Sequence, residues 1–231
     1  MSKIRCTVAQ LSPLTSGVTR VVLTPESQVP YLPGQYLQIW LSDEDKRPFS
    51  IASIAAQGQL ELHIGGAVTD QYASQALAHL QQHSEITAEV GLGQAFWREH
   101  SQNPIILLAG GTGFSYVYSI AQAIAAAGVK RPVFLYWGVR DESALYHQTE
   151  LAAWAATDEH YRFIPVVQNP TEQWQGRTGL VHEAILQDFV SLEAYDIYLA
   201  GPFAMAGVVR AAFLEQGGKR EQMFADAFAY I

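Results

Sequence analysis

The stretch DKRPFSIAS at residues 45–53 brings together side chains suited to a flat, partly charged molecule. A cation, a rigid ring, an aromatic ring and a hydroxyl follow one another as Arg47, Pro48, Phe49 and Ser50. An arginine can pair with an anion, the two rings can wall a flat pocket, and a hydroxyl can donate a hydrogen bond. The stretch therefore predicts one side of a ligand site.

The stretch LLAGGTGFS at residues 107–115 is suited to a phosphate-bearing ligand. Gly110, Gly111 and Gly113 let the backbone approach a ligand closely, and a helix beginning here offers unpaired N–H groups to a pyrophosphate. The pattern is neither G-x-G-x-x-G nor a P-loop, so we expect nucleotide binding without ATP hydrolysis. An ordinary tight strand-to-helix turn is the alternative interpretation.

Two further predicted strands end in a similar way. LAGPFAM, residues 199–205, places Gly201 and Pro202 before a helix, and YWGVR, residues 136–140, ends in a glycine and Arg140. Because the carboxyl ends of parallel strands share one edge of a sheet, these ends together predict an extended dinucleotide. Arg140 is equally compatible with a solvated loop cation.

The elements that must position these stretches differ between the two halves of the chain. Residues 1–102 favour a six-stranded antiparallel β-barrel, with one helix over 69–82 that places Tyr72, Ala76 and Leu80 at helical spacing. The predicted strands lie near 3–11, 18–24, 35–42, 48–54, 58–66 and 84–91.

Residues 103–231 predict a doubly wound α/β domain with a parallel sheet that binds the nucleotide. Strands at 105–109, 133–137, 162–167, 196–200 and 222–228 alternate with helices at 115–127, 142–156, 179–189 and 203–216. This alternation is typical of βαβ units with right-handed crossovers, so we expect the domain boundary at 102/103.

The composition narrows the range of partners. The 231 residues are 49% hydrophobic and 16% charged, as in a globular protein, and the net charge of −8 argues against nucleic-acid or anionic-membrane partners. The N-terminus lacks an apolar core of signal-peptide length. Cys6 is the single cysteine, which favours a reducing cytoplasm and an inert core thiol. The seven histidines are scattered, and no metal site is predicted.

The motifs RPFS (47–50), GGTGFS (110–115) and AGPFAM (200–205) together resemble those of the ferredoxin–NADP reductase superfamily. Its members carry Arg-x-Tyr/Phe-Ser for flavin, then Gly-Gly-x-Gly and Cys-Gly-Pro-x-x-Met for the pyridine nucleotide. The likeness spans the whole chain. The stretches GQYL, ELHIG and DAFAYI resemble more closely the NAD(P)H-flavin reductases of enterobacterial and luminous-bacterial type.

The resemblance implies hydride transfer from NADH or NADPH to FMN, FAD or riboflavin. Ser50 would hydrogen-bond the flavin near N5 as the catalytic residue, Pro48 and Phe49 would shape the pocket, and Arg47 would face the ribityl or phosphate end. The implied second flavin wall consists of His63, Ile64, Gly65 and Gly66. The implied nicotinamide site consists of Gly110, Gly111, Thr112, Gly113, Phe114 and Ser115, with Gly201, Pro202 and Met205 behind the ring.

Two departures from the family pattern shape the expected activity. Ala200 replaces the family cysteine, and Gln71 replaces the glycine of a Gly-x-x-Ser turn found in flavin-retaining members. The second departure favours flavin as a substrate that is released, for a separate monooxygenase or luciferase to consume. A flavoprotein with bound FAD that passes electrons to a protein partner and a nucleotide-sensing module are the alternatives. The choice of NADH or NADPH stays open, as does whether Phe228 and Tyr230 cover the flavin or only pack.

Overall fold

The first half of the chain forms an antiparallel sheet that curves into a barrel. The computed structural model describes residues 2–65 and 71–231. The strands are β1 (Ser2–Thr15), β2 (Val18–Pro25), β3 (Tyr36–Trp40), β4 (Lys46–Ser50), β5 (Leu60–Gly65) and β6 (Glu85–Leu92), with helix α1 (Gln71–Gln82) between the last two. The strand order is β4-β3-β6-β1-β2-β5. A hydrogen bond of 2.7 Å from Ala52 N to Glu61 O links the segment after β4 to β5, so the two edges meet.

Alternating side chains fill the barrel, as the period of two in its strands predicts. Leu37 and Ile39 of β3 and Leu62 and Ile64 of β5 are fully buried inside it. Cys6 of β1 lies in the same core, and burial raises the pKa of its thiol to about 12. The expectation that this thiol is a core group is confirmed, and its inertness stays a prediction.

The second half forms a parallel sheet with helices packed on it. The strands are β7 (Ile105–Gly110), β8 (Val133–Val139), β9 (Tyr161–Val167), β10 (Arg177–Thr178), β11 (Asp196–Ala200) and β12 (Met223–Phe224). The helices are α2 (Phe114–Ala126), α3 (Gln148–Thr157), α4 (Val181–Asp188) and α5 (Phe203–Glu215). The strand order β10-β9-β8-β7-β11-β12 places β7 near the centre, with all six of its residues buried. The chain winds outward in both directions, so the topological switch point lies between β7 and β11.

Helix α2 lies between the parallel sheet and the barrel. Ten of its 13 residues are buried, because both sides of the helix are covered. Ser119 Oγ accepts a hydrogen bond of 2.9 Å from Gly34 N, and Gln122 Nε2 donates one of 2.6 Å to Ala52 O. These bonds tie the helix to barrel loops and fix the position of the barrel relative to the sheet.

The predicted fold class is confirmed, and several element bounds differ from the prediction. Strand β4 ends at 50 instead of 54. The helix predicted from 142 is a 3-10 turn over 142–144 and then α3 from 148, because His147 adopts a left-handed backbone (φ 56°) that breaks the helix. The last strand spans only 223–224 before a 3-10 turn, and β10 is too short for its periodicity to be visible. The domain boundary at 102/103 falls between β6 and β7 and stays a prediction.

The inner face of α1 is rotated from the predicted one. Ala73, Ala76 and Leu80 are its buried residues, whereas Tyr72 is exposed. The first two residues of the predicted helix, 69 and 70, lie outside the described residues. The rotation matters because it turns the Tyr72 ring toward Phe49 of the RPFS motif, at a centroid distance of 5.9 Å.

The aromatic core beneath α2 generates a prediction about stability. Phe114 is fully buried, and its ring stacks on Trp137 with 3.9 Å between centroids. We expect Phe114→Ala to lower the free energy of unfolding by about 3–5 kcal/mol, because it opens a cavity in this core. Phe203→Ala is the matched control, since Phe203 is 58% exposed. Equal urea midpoints for the two variants would contradict this role of Phe114.

Candidate active site

A cleft of roughly 1850 Å³ separates the edge of the barrel from the carboxyl edge of the parallel sheet. Ser50 and Gly65 line it from the barrel, and Gly110 and Gly201 line it from the sheet. The last two residues end β7 and follow β11, so this side of the cleft is the topological switch point where open α/β sheets bind ligands. The cleft exceeds the volume of about 300–1000 Å³ typical of a single-ligand pocket, so it has room for two ligands.

The barrel wall of the cleft consists mainly of ring side chains and carries the hydroxyl of Ser50 among them. Pro48, Phe49 and Ser50 of β4 line it, together with Tyr72 of α1. Tyr36 of β3 stands opposite Ser50 in the antiparallel register and lines the cleft as well. A hydroxyl among rings can recognise one heteroatom of a flat molecule that slides between them.

Three of the sequence-predicted site residues that the structure describes do not line this cleft. Arg47 is buried, and its guanidinium bonds both carboxylate oxygens of Asp45, Gln75 Oε1 and the Tyr72 carbonyl at 2.6–3.0 Å. Ile64 lies in the barrel core and Phe114 lies in the core beneath α2. Gly66 lies outside the described residues.

His63 lines the cleft from the face of β5 that the alternation predicts, but this face is buried instead of open to solvent. The alternation of Glu61 and His63 against Leu62 is present, but the second half of the chain covers that face. Burial lowers the pKa of His63, and His63 Nε2 lies 3.0 Å from Glu61 Oε1. Burial would raise the pKa of Glu61, but hydrogen bonds from His63 and Arg20 hold it at about 2.

The sheet wall of the cleft is made of backbone that approaches other backbone closely. A Cβ on Gly113 would lie 2.3 Å from Ala200 O, so only glycine allows the turn after β7 to touch the end of β11. Gly111 has a φ of 55° and open space around it, and its carbonyl accepts a 2.9 Å hydrogen bond from Trp137 Nε1. Thr112 also lines this wall.

Ser115 offers the cleft a hydroxyl that the described part of the chain does not satisfy. It lies in the first turn of α2 with 2% exposure and lines the cleft. Its Oγ is buried and has no hydrogen-bond partner among residues 2–65 and 71–231. A buried hydroxyl without a partner is costly, so a ligand oxygen at the start of α2 would satisfy it. This feature fits the predicted nucleotide.

A thioether forms the floor between the two glycine-marked strand ends. A Cβ on Gly110 would lie 2.6 Å from Met205 Sδ, and one on Gly201 would lie 2.4 Å from Met205 Cε. The missing side chains therefore make room for Met205, and Pro202 lines the cleft next to them. These residues come together as the sequence predicts, and their role stays a prediction.

The C-terminal segment adds Asp226, Phe228 and Tyr230 to the cleft, and the sequence analysis missed the first of these. Asp226 Oδ1 accepts hydrogen bonds from Gln94 N and Ala95 N at 3.2 and 3.4 Å. Burial raises the pKa of Asp226 despite these bonds. An acidic residue inside the apolar ending DAFAYI was the available signal. Phe228 and Tyr230 also line the cleft, and Tyr230 is 75% exposed at its rim.

The histidines are less scattered than the sequence indicates. His63 and His147 lie with their ring centroids 5.7 Å apart, although 83 residues separate them in the chain. With Glu61 they form a group whose potential ligand atoms all lie within 4.8 Å of one another. The structure therefore brings together two histidines that show no metal-binding motif in the sequence, and the expectation of no metal site stays a prediction.

Comparisons with known proteins agree with this arrangement. A family model described as an oxidoreductase NAD-binding domain matches residues 107–211. The chain is 43% identical to an NAD(P)H-flavin reductase of Vibrio harveyi and equally to one of Aliivibrio fischeri, with 99% of each chain covered in both alignments.

Solved structures of reductases share the fold. The ferredoxin reductase in carbazole 1,9a-dioxygenase matches with a TM-score of 0.84 and 25% identity, over 98% of this chain and 69% of that one. An Amycolatopsis cytochrome P450 reductase matches with a TM-score of 0.86 and 26% identity, over 97% of this chain and 69% of that one. Among the described residues, no helix is long and apolar enough to cross a membrane.

The half-buried carboxyl of Asp226 at the cleft generates a prediction about pH. Because the folded-state pKa of Asp226 is raised, the wild type gains stability from this group as the pH falls through that pKa toward its ordinary value of 3.8. Asp226→Asn keeps an oxygen for Gln94 N and Ala95 N without the charge. We expect the variant to be more stable than the wild type at pH 7, with the gain shrinking toward pH 4.

Urea denaturation of both proteins between pH 4 and 8 measures this difference, and Asp43→Asn serves as the control because Asp43 is exposed. A difference between wild type and Asp226→Asn that is constant with pH would show that the charge of this carboxyl is not what burial penalises.

Proposed function

This chain belongs to the NAD(P)H-flavin reductase family of the ferredoxin–NADP reductase superfamily, and on that premise we propose that it reduces flavin with NADH or NADPH. One observation carries the proposal: the Ser50 edge of the barrel and the Gly110–Ser115 turn line the same cleft. Two planar rings can therefore lie face to face in it. The hydride transfer is chemistry of the two substrates themselves, and the protein supplies orientation and electrostatics.

The barrel wall would bind the flavin. We assign Ser50 to the hydrogen bond at N5, where charge develops as the hydride arrives, and Pro48 and Phe49 to the flat pocket. Their position on the cleft wall next to Tyr72 supports this assignment. His63 and Gly65 close the same wall from β5. The backbone of Ile64 completes this strand end in the proposal.

The sheet wall would bind the nicotinamide nucleotide. The turn Gly110 to Ser115 would take the pyrophosphate at the start of α2, where Ser115 Oγ has no partner in the described part of the chain. Met205, seated between Gly110 and Gly201, would support the nicotinamide ring from below. Pro202 at the start of α5 would flank the ring.

We propose that the flavin is a substrate, released after reduction, and not a prosthetic group. Arg47, the cation of the flavin motif, is bonded within the protein to Asp45, Gln75 and the Tyr72 carbonyl. A flavin phosphate would have to compete with these partners, and Gln71 stands where flavin-retaining members have glycine. We therefore expect riboflavin, FMN and FAD all to be reduced.

The reduced flavin would leave for another protein. We propose a flavin-consuming monooxygenase or a luciferase as the consumer, and the cytoplasm as the compartment. The lone, buried thiol supports a reducing compartment. The net charge of −8 supports small-molecule substrates over polyanionic partners.

The proposed role of Ser50 predicts a loss of rate. Removing a donor aimed at developing charge costs roughly 10- to 1000-fold, so we expect Ser50→Ala to lower kcat/KM by that factor with the fold intact. Steady-state NADH oxidation with riboflavin measures the effect. Ser50→Thr keeps a hydroxyl and should retain more activity, and Ser191→Ala is the control at an exposed serine outside the cleft. An undiminished rate in Ser50→Ala would remove Ser50 from the mechanism.

The proposal of released flavin predicts a colourless protein after extensive dialysis. It also predicts that kcat/KM for riboflavin lies within about tenfold of that for FMN, because a decisive phosphate contact would be worth more than the 1.4 kcal/mol of a tenfold change. A steady-state assay that crosses NADH and NADPH with riboflavin, FMN and FAD measures both preferences. A yellow protein holding one FAD per chain would instead support a flavoprotein that passes electrons to a protein partner.

A further inference from the structure

We propose that Glu61, His63 and His147 form a site for a divalent transition-metal ion, such as Zn²⁺, between the barrel and the parallel sheet. One potential ligand atom from each residue lies within 4.8 Å of the other two. Imidazole nitrogen and carboxylate oxygen are ligands that zinc uses, and two histidines with one glutamate leave an open fourth position. The site lies beside the cleft, because His63 lines both.

Strand β5 supplies two of the three ligands. Glu61 and His63 are two residues apart, so their side chains leave the strand on the same face. His63 Nε2 lies 3.0 Å from Glu61 Oε1, and the His63 side chain has 0% exposure. Arg20 donates a hydrogen bond of 2.5 Å to Glu61 Oε2 and leaves Oε1 toward the histidine. A metal ion would lie between these two atoms, with His63 carrying its ring proton on Nδ1 instead of Nε2.

The third ligand comes from the other half of the chain and is prepared for this role. His147 Nδ1 lies 3.0 Å from Glu150 Oε2, and a carboxylate there favours the tautomer with the proton on Nδ1 and the lone pair on Nε2. His147 Nε2 is buried and has no hydrogen-bond partner among residues 2–65 and 71–231. Metal-binding histidines typically have a carboxylate beside their second ring nitrogen.

The surroundings of His147 fix its ring at the interface. His147 precedes α3 with a φ of 56°, a left-handed conformation that few non-glycine residues adopt. Its ring stacks on Tyr118 of α2 at a centroid distance of 5.0 Å, and the Tyr118 hydroxyl donates a 2.9 Å hydrogen bond to Glu150 Oε1. The strained backbone, the stacking and the carboxylate therefore all hold the ring in one place.

The distances and charges suit a small contraction around a cation. Ligand atoms about 2.0–2.1 Å from a tetrahedral zinc lie about 3.3–3.4 Å apart, which modest side-chain rotations can reach from separations below 4.8 Å. Glu61 and Glu150 outnumber the single guanidinium of Arg20, so the local charge is negative before the ion binds. Mg²⁺ and Ca²⁺ prefer all-oxygen sites and are not expected here.

The predicted consequence is a cross-link between the two halves of the chain. Glu61 and His63 belong to the barrel, whereas His147 precedes α3 on the parallel sheet. A ligand that binds only the folded state raises its stability, and here the gain depends on both halves keeping their relative position. Binding and stability therefore report the site without any measurement of turnover.

The test uses the full chain, untagged and stripped of metal. Co²⁺ is titrated and its visible absorption recorded, because a tetrahedral site gives intense bands, and Zn²⁺ is then added to displace it. Thermal unfolding is followed with and without Zn²⁺. We expect one equivalent of Co²⁺ to give these bands, Zn²⁺ to abolish them, and Zn²⁺ to raise Tm.

Three variants decide whether these residues hold the ion. His147→Asn removes the imidazole with a residue that tolerates the left-handed backbone, and should lose both the bands and the rise in Tm. Glu150→Gln keeps an oxygen for the Tyr118 hydroxyl but removes the charge beside His147, and should reduce Zn²⁺ affinity by about 10- to 100-fold. His79→Ala is the control, because His79 and His83 form a stacked pair, with 4.2 Å between centroids, that could bind metal on the surface of α1.

Two results would overturn the proposal. One is a wild-type protein that shows neither tetrahedral Co²⁺ bands nor a rise in Tm with Zn²⁺. The other is a signal lost in His79→Ala and kept in His147→Asn, which would place the ion at the surface pair. A failure of flavin reduction would leave either result unchanged, because no readout depends on activity.

Discussion

The arrangement of this protein depends on one helix that is buried on both sides. Helix α2 packs Phe114 onto Trp137 of the parallel sheet, while the hydroxyl of Tyr116 donates a hydrogen bond of 2.5 Å to Ala95 O beyond the barrel. The N-terminus of the same helix opens onto the cleft. The packing of the core, the attachment of the barrel and the placement of the glycine turn therefore all depend on the position of α2. A shift of this helix would disturb all three.

The cleft follows from this constraint together with the absence of side chains at a few positions. Gly113 lets the turn touch the end of β11, and Gly110 and Gly201 accommodate Met205 between them. An acidic chain attracts no anion by its overall field, so in the proposed nucleotide site the phosphate would depend on local donors such as the N-terminus of α2. The site thus depends on backbone geometry more than on charged side chains, which suits a reaction carried out by its two substrates.

The sequence predicts the repeating elements and the glycine turns well, because both are local. The buried strand β7 and the turn after it are encoded by consecutive residues, and the RPFS motif consists of four consecutive residues. What it misses is set by contacts distant in the chain: that Arg47 bonds Gln75, that the polar face of β5 is covered, and that His147 reaches His63. Periodicity identifies one face of a strand as polar, but it does not show whether that face is exposed to water or covered by a neighbouring domain.

The sealed position of Cys6 suits a protein whose product reacts with oxygen. Reduced flavin passes electrons to dioxygen and generates peroxide, and thiolates are the first side chains that peroxide attacks. The thiol of Cys6 lies in the barrel core, where burial raises its pKa and removes the sulfur from solvent, and both effects disfavour its oxidation. The same burial makes Cys6 a natural reporter, since an alkylating reagent can modify it only in molecules whose barrel has opened.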